Sequence, residues 1–180
     1  MSNNSTLPDW AVEHMNRYLE TDGEDGHIWR GVPTLLLTTT GRSSGAARML
    51  PLIYGKDGDD HIVVASKGGH TDHPAWYLNL AAASGVQVQV AADKFSATAT
   101  VVDDADRSRI WNMMAEIWPP YIEYQDKTER QIPIVRAYVV TKKLGFRLTP
   151  QKGGNGDQHN RLHGSCPEWR AHKGRNNQQH

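Results

Sequence analysis

Four segments of this sequence gather residue types that can do chemistry. The first is Thr39-Thr40-Gly41-Arg42-Ser43-Ser44-Gly45, with Arg48 three residues on. Gly41 and Gly45 admit backbone turns closed to other residues. Two serine hydroxyls, two guanidinium groups and several backbone N–H groups then converge on one loop. That set suits a phosphate or carboxylate, because Arg offers a bidentate fork. A solvated hairpin loop has the same composition, so spacing alone leaves both readings open. No Gly-Lys-Ser/Thr follows at the offset a Walker loop needs.

The second segment is Ser66-Lys67-Gly68-Gly69, leading into His73-Pro74-Ala75-Trp76-Tyr77-Leu78-Asn79-Leu80. A helix N-terminus presents unpaired N–H groups to a ligand. Ser66 can donate to a carbonyl oxygen and Lys67 can pair with an anion. Trp76 and Asn79 lie at i and i+3, so they share a face that could hold a flat heterocycle. Equally, Trp76 could be a core anchor and Asn79 a buried cap. The third is Trp118-Pro119-Pro120-Tyr121-Ile122-Glu123-Tyr124. Two tyrosines one turn apart beside a tryptophan make an aromatic wall with hydroxyl handles, and a phenol can donate a proton to a developing anion. A helix simply packed on the fold would look the same. The fourth is His159, His163, Cys166 and His172 near the C-terminus. Their spacing matches no strong zinc pattern, so no metal is expected. Nothing resembles a Ser-His-Asp arrangement, and no Gly-x-Gly-x-x-Gly follows a strand.

These segments need a scaffold to position them. Pro8 to Leu19 reads as an amphipathic helix with Trp10, Met15, Tyr18 and Leu19 on one face. Strands follow over residues 34–39, 48–54 and 61–66, the last two joined by an Asp-Gly turn. A helix is expected over 73–83, strands over 86–90 and 95–102, and a helix capped by Asp103-Asp104. Ile110, Met113, Met114 and Ile117 mark the buried face of that helix. Pro119-Pro120 breaks it, and 121–130 reads as a second helical piece. Strands over 132–141 and 144–148 close the count at six or seven. Hairpins with irregular helices disfavour a doubly wound sheet and favour an antiparallel barrel with helices outside.

The 180 residues suit one domain with a core of its own. Zero formal net charge marks neither a nucleic-acid binder nor a disordered chain. The single cysteine allows no intrachain disulfide, which fits a reducing cytoplasm. Residues 1–7 read as a disordered N-terminus, 8–150 as the folded domain and 151–180 as a polar, disordered tail dispensable for folding.

In this order, the stretches LLLTTTGRSSGAARMLPL, VVASKGGHTDHPAWYLNL, VQVQV and PPYIEYQDKTERQIPIV resemble the deazaflavin-dependent nitroreductase family, also called the F-420-dependent quinone reductases. The resemblance runs from about Thr34 to Pro133. It implies an α+β fold, a split β-barrel like that of small FMN-binding reductases, with peripheral helices. It also implies an oxidoreductase that passes hydride from reduced coenzyme F-420, an 8-hydroxy-5-deazaflavin, to a quinone, nitroaromatic or activated C=C bond. FMN ranks behind F-420 as the coenzyme. Carried over by position, Arg42, Ser44 and Arg48 hold the phosphate and acidic tail, with Ser43 where relatives often have a basic residue. Lys67, Gly68 and Gly69 line the same groove, and Pro51, Pro74, Trp76 and Asn79 support the deazaflavin. Ser66, which also borders the coenzyme, faces the substrate with Tyr121 and Tyr124. The partner is a hydrophobic small molecule and not a nucleic acid. Pairing into a homodimer and contact of the Trp10 helix with a membrane surface are left open. Two other functions compete: a flavin- or ligand-binding protein without turnover, and a redox-neutral enzyme on the same fold.

Overall fold

The computed structural model describes residues 7–141. The N-terminal segment expected to be disordered (all but Leu7), the strand expected at 144–148, and the C-terminal segment with its histidines and cysteine lie outside the described residues. Among the described residues, no helix is long and apolar enough to cross a membrane.

Six antiparallel strands close into a barrel. They are β2 (Val32–Thr40), β3 (Ala47–Asp57), β4 (Asp60–Val64), β5 (Gly85–Val90), β6 (Asp93–Val101) and β7 (Ile134–Thr141). Their order round the barrel is β2-β3-β4-β7-β6-β5, and β5 returns to β2 through Leu36↔Gln89 and Leu37↔Val88. The expected barrel class and its peripheral helices are therefore present. A two-residue strand, β1 (Ile28–Trp29), adds to β2. It is too short to leave a periodic signal and was not expected.

Side chains alternate across each strand, which sorts the core into layers. Leu35 and Leu37 join Val63, Val88, Phe95 and Ala97 in one buried cluster. Leu36, between them, is buried on the other side with Met15 and Tyr18 of α1 (Asp9–Glu20). Ile62, Val64 and Ile134 likewise belong to a separate cluster with Ile110 and Met114 of α3 (Asp104–Ile117). Strands covered on both faces read as continuous apolar runs rather than alternating ones.

The buried stripe of α1 is Ala11, His14, Met15 and Tyr18, the i, i+3, i+4, i+7 set. Trp10 and Leu19, expected on that stripe, are 54% and 38% exposed. The Tyr18 hydroxyl pins the helix by donating to the Thr34 carbonyl at 3.1 Å and accepting from the Ala91 N–H at 2.8 Å. Asp103 caps α3 as expected, accepting from the Asp106 N–H at 3.0 Å. Met113 and Ile117 pack against the same cluster as Ile110 and Met114. Several element ends move by a few residues, and two of the helix ends move for a visible reason. The helix α2 spans Ala75–Ala82 with Pro74 as its cap rather than inside its first turn. The helix α4 spans Pro120–Asp126 and stops short of Arg130, because the Gln125 side chain folds the following turn.

Candidate functional site

The 41–46 loop turns tightly between β2 and β3. The Gly41 N–H donates to the Ala46 carbonyl at 2.8 Å, and the Gly45 N–H donates back to the Gly41 carbonyl at 2.7 Å. A side chain at Gly41 would meet the Ser44 hydroxyl at 2.8 Å and crowd the Ala46 carbonyl at 3.2 Å, so glycine lets the turn close without displacing Ser44. Gly45 adopts φ +67°, in the left-handed region glycine enters without strain. Asn79, buried on α2, holds the loop from below. Its carbonyl oxygen accepts from the Arg42 N–H at 3.2 Å and from the Arg42 guanidinium at 3.3 Å. Its amide donates to the Thr39 hydroxyl at 3.1 Å.

Arg42, Ser43, Ser44 and Arg48 line a cavity of about 250 Å³ together with Leu50, Trp76 and Asn79. A second cavity, of about 370 Å³, lies beside it and shares Leu50 and Trp76. Pro51, Ser66, Lys67, Gly68, Pro74, Tyr121 and Tyr124 all face this second space. The expected residues thus divide into a cationic, hydroxyl-rich chamber and an aromatic one, with Trp76 as the shared wall. Trp76 is only 5% exposed and belongs to the barrel core, so it serves as core anchor and cavity wall together.

The aromatic chamber is larger than the sequence reading placed there. Besides the expected Trp118, Trp10, His14 and Trp29 also line it. Trp10 stacks on Trp29 at 5.5 Å between ring centroids, His14 stacks on Trp29 at 6.2 Å, and Trp118 tilts against Trp29 at 5.8 Å. Trp118 adjoins Tyr121 in the chain, but Trp10 and His14 come from α1 and Trp29 from β1, so adjacency in the chain could not bring these three to the wall. The one available signal was the number of tryptophans, six in all.

Gly69 is placed differently from expectation. It is buried beneath α4, where a side chain would meet the Tyr124 carbonyl at 2.6 Å and the Lys127 Cβ at 3.0 Å. It lets the turn approach α4 closely and lines neither chamber. Tyr121 is deeply buried, and burial pushes its phenol well above the ordinary tyrosine value, with the neighbouring Tyr124 adding to the shift. It therefore keeps its proton at any working pH.

The residues present fit a coenzyme with an anionic end and a flat ring. Two guanidinium groups and two hydroxyls suit a phosphate or carboxylate. The Ser66 hydroxyl makes no hydrogen bond within the described residues, although Ser66 borders the aromatic chamber. The cationic chamber, at about 250 Å³, falls below the usual range of about 300–1,000 Å³ and the aromatic one, at about 370 Å³, lies near its lower end, and joined they suit one extended ligand plus an acceptor.

The sequence profile of the F420H(2)-dependent quinone reductase family matches residues 10–139. An F420H(2)-dependent quinone reductase of Mycobacterium tuberculosis is 41% identical over 122 residues, covering 66% of this chain and 82% of that one. The chain belongs to this family. Two solved structures are similar at 39% identity. One is an F420-H2 dependent reductase, with TM-score 0.56 over 62% of this chain and 97% of its own. The other is described as a domain-swapped dimer, with TM-score 0.58 over 72% of this chain and 97% of its own. As a member of the quinone reductase family, the chain is an F-420-dependent oxidoreductase on a split β-barrel.

Proposed function

We propose that this chain reduces a flat, hydrophobic quinone at the expense of reduced F-420, with nitroaromatics and activated C=C compounds as further acceptors. The observation that carries the reading is the junction of a cationic chamber and an aromatic one across Trp76 and Leu50. In this reading Arg42, Ser43, Ser44 and Arg48 hold the anionic part of the coenzyme. Pro51, Lys67, Gly68, Pro74 and Trp76 border its ring, while Asn79 keeps the arginine loop in place. Ser66, Tyr121 and Tyr124 face the acceptor, and Gly69 sets the position of Tyr124 from behind.

When bound, F-420 supplies two electrons as hydride. A quinone that takes up hydride and one proton becomes a hydroquinone, so the protein must stabilise negative charge on the acceptor oxygen until a proton arrives from solvent. Tyr121, held neutral by burial, donates a hydrogen bond there. Ser66 is the second donor. The tryptophans exclude water and keep the acceptor flat against the ring. Trp10 and Ile28, 54% and 62% exposed, leave apolar surface beside the chamber, which favours a cytoplasmic protein that takes its acceptor from a membrane surface. Pairing of two copies is prompted by the likeness to the domain-swapped dimer.

Anaerobic mixing of the protein, reduced F-420 and a soluble naphthoquinone tests the reading. Quinone-dependent oxidation of the coenzyme should saturate in both reactants, and reduced FMN should not replace it. Tight F-420 binding without turnover of any quinone would instead establish a carrier or a redox-neutral enzyme.

A further inference from the structure

One cation near the site lines neither chamber. Arg130 follows α4 in a turn folded by Gln125, whose amide donates to the carbonyls of Thr128 at 3.3 Å and Arg130 at 2.9 Å and accepts from the Ile132 N–H at 2.9 Å. From there the guanidinium reaches back about sixty residues in sequence. It donates to the carbonyls of Ala65 at 3.2 Å, Ser66 at 2.8 Å and His70 at 2.8 Å, and meets the His73 Nδ1 at 3.3 Å. A planar fork can hold acceptors spread this way, whereas a lysine ammonium cannot reach them together. The gripped segment brackets Ser66, Lys67 and Gly68, and the turn that carries Arg130 directly follows α4, the helix of Tyr121 and Tyr124.

We infer that Arg130 is a positioning residue of the reductase: it clasps the Ala65–His73 segment to the α4 turn, so that Ser66 and Lys67 face the same chamber as the two tyrosines. The inference rests on the reading of Ser66 as a substrate-facing donor. Arg130 also acts on His73, whose surroundings are Asp72, Tyr77 and, round a shared shallow hollow, Arg42 and Lys67. Burial and then the Arg130 charge lower the His73 pKa, against a smaller opposing effect of Asp72.

The test compares Arg130→Ala, Arg130→Lys and Ser66→Ala by F-420 titration, naphthoquinone turnover, thermal melting and NMR titration of His73. Arg130→Ala should still melt cooperatively, bind F-420 at least tenfold more weakly and lose at least tenfold in kcat, with the quinone KM changed less than threefold. Added guanidinium ion should restore part of that kcat. The His73 midpoint should rise in Arg130→Ala and stay low in Arg130→Lys, which keeps the charge but still loses turnover. A folded Arg130→Ala with F-420 affinity and kcat within twofold of wild type overturns the inference. If the alanine variant does not fold, wild-type turnover in Arg130→Lys overturns it equally. Loss in Arg130→Ala with none in Ser66→Ala removes the Ser66 reading and leaves Arg130 acting through Lys67. Loss in Ser66→Ala alone removes Arg130.

Discussion

At one end of the barrel the strands are joined by short turns, between β3 and β4 and between β5 and β6. At the other end the connections are the 41–46 loop and two long insertions that carry α2, α3 and α4. The ends also treat charge differently. Asp57, where β3 meets its turn, is held by Arg109 at 2.8 Å and Arg136 at 2.7 Å. Arg42 and Arg130, at the other end, rest on an amide oxygen, on carbonyls and on a histidine ring, and join no ion pair among the described residues. Neutral acceptors fix a guanidinium in place without cancelling its charge. The cationic chamber, bordered by Arg42, concentrates positive potential and draws in an anion. The turn end spends its charges on the fold, and the loop end keeps them for a ligand.

Removing that retained charge should have the largest effect. Each charge-assisted hydrogen bond is worth about 1.5–3 kcal/mol. Arg42→Ala combined with Arg48→Ala should therefore weaken F-420 binding by roughly 100-fold or more, and the remaining binding should depend less on salt. Calorimetric titration at two ionic strengths measures both. Unchanged affinity would erase the distinction between the two ends.

A matched pair of glycine substitutions sharpens the comparison. Gly58, in the β3–β4 turn, adopts φ +63° with nothing near a prospective side chain, whereas Gly69 adopts φ +82° and abuts the Tyr124 backbone. Left-handed strain alone costs about 1–2 kcal/mol, and that is the expected loss for Gly58→Ala, with turnover intact. Gly69→Ala adds overpacking and should lose about 2–5 kcal/mol in total. It should also displace Tyr124 and slow quinone reduction. Denaturant melts beside kcat measurements separate the two variants.

Within the aromatic chamber, Tyr121→Phe removes only a hydroxyl. If that phenol stabilises charge in the transition state, kcat should fall by about 10- to 100-fold, or about 1.4–3 kcal/mol, with F-420 affinity unchanged. Tyr124→Phe should cost less, because Tyr124 is only partly buried and its ring edge-packs against Tyr121 at 6.1 Å. Wild-type rates in both variants would reduce the pair to packing and leave Ser66 as the donor.

The parts of this site that were legible in the sequence are those whose residues are neighbours in the chain. Gly41, Arg42, Ser44 and Gly45 mark a glycine-bounded cationic loop, and Tyr121 with Tyr124 a pair of rings one turn apart, although their spacing left a solvated loop and a packed helix equally open. The barrel strands were legible for the same reason, since β-branched runs and an Asp-Gly turn are local signals. Trp29 was not, because a two-residue strand has no period, and its role depends on rings from α1 and α3. Gly69 reads like a flexible loop residue until α4 is placed over it. Arg130 reads as one more charge on a polar helix. Its function exists only once Gln125 has ended that helix and turned the guanidinium toward Ser66.

The smallest expected effect belongs to the turn end. Hydrogen bonding from Arg109, with the charges of Arg109 and Arg136 behind it, holds the Asp57 carboxyl below the ordinary aspartate value of about 3.9. A group depressed in the folded state contributes stability that is fully present above its unfolded pKa. That contribution is lost as pH falls through the folded value, when the carboxylate is protonated and the two arginines face each other without it. Wild type should therefore melt at a nearly constant temperature from neutral pH down to about pH 4, as far as this group is concerned, and lose stability below that. Asp57→Asn should melt lower at neutral pH and show a shallower fall in acid, because asparagine has no proton to gain. Its F-420 affinity and quinone turnover at neutral pH should match wild type, since Asp57 borders neither chamber. An Asp57→Asn variant that loses turnover while keeping its melting temperature would mean the two ends are coupled through the barrel. The separation of fold charge from ligand charge would then fail.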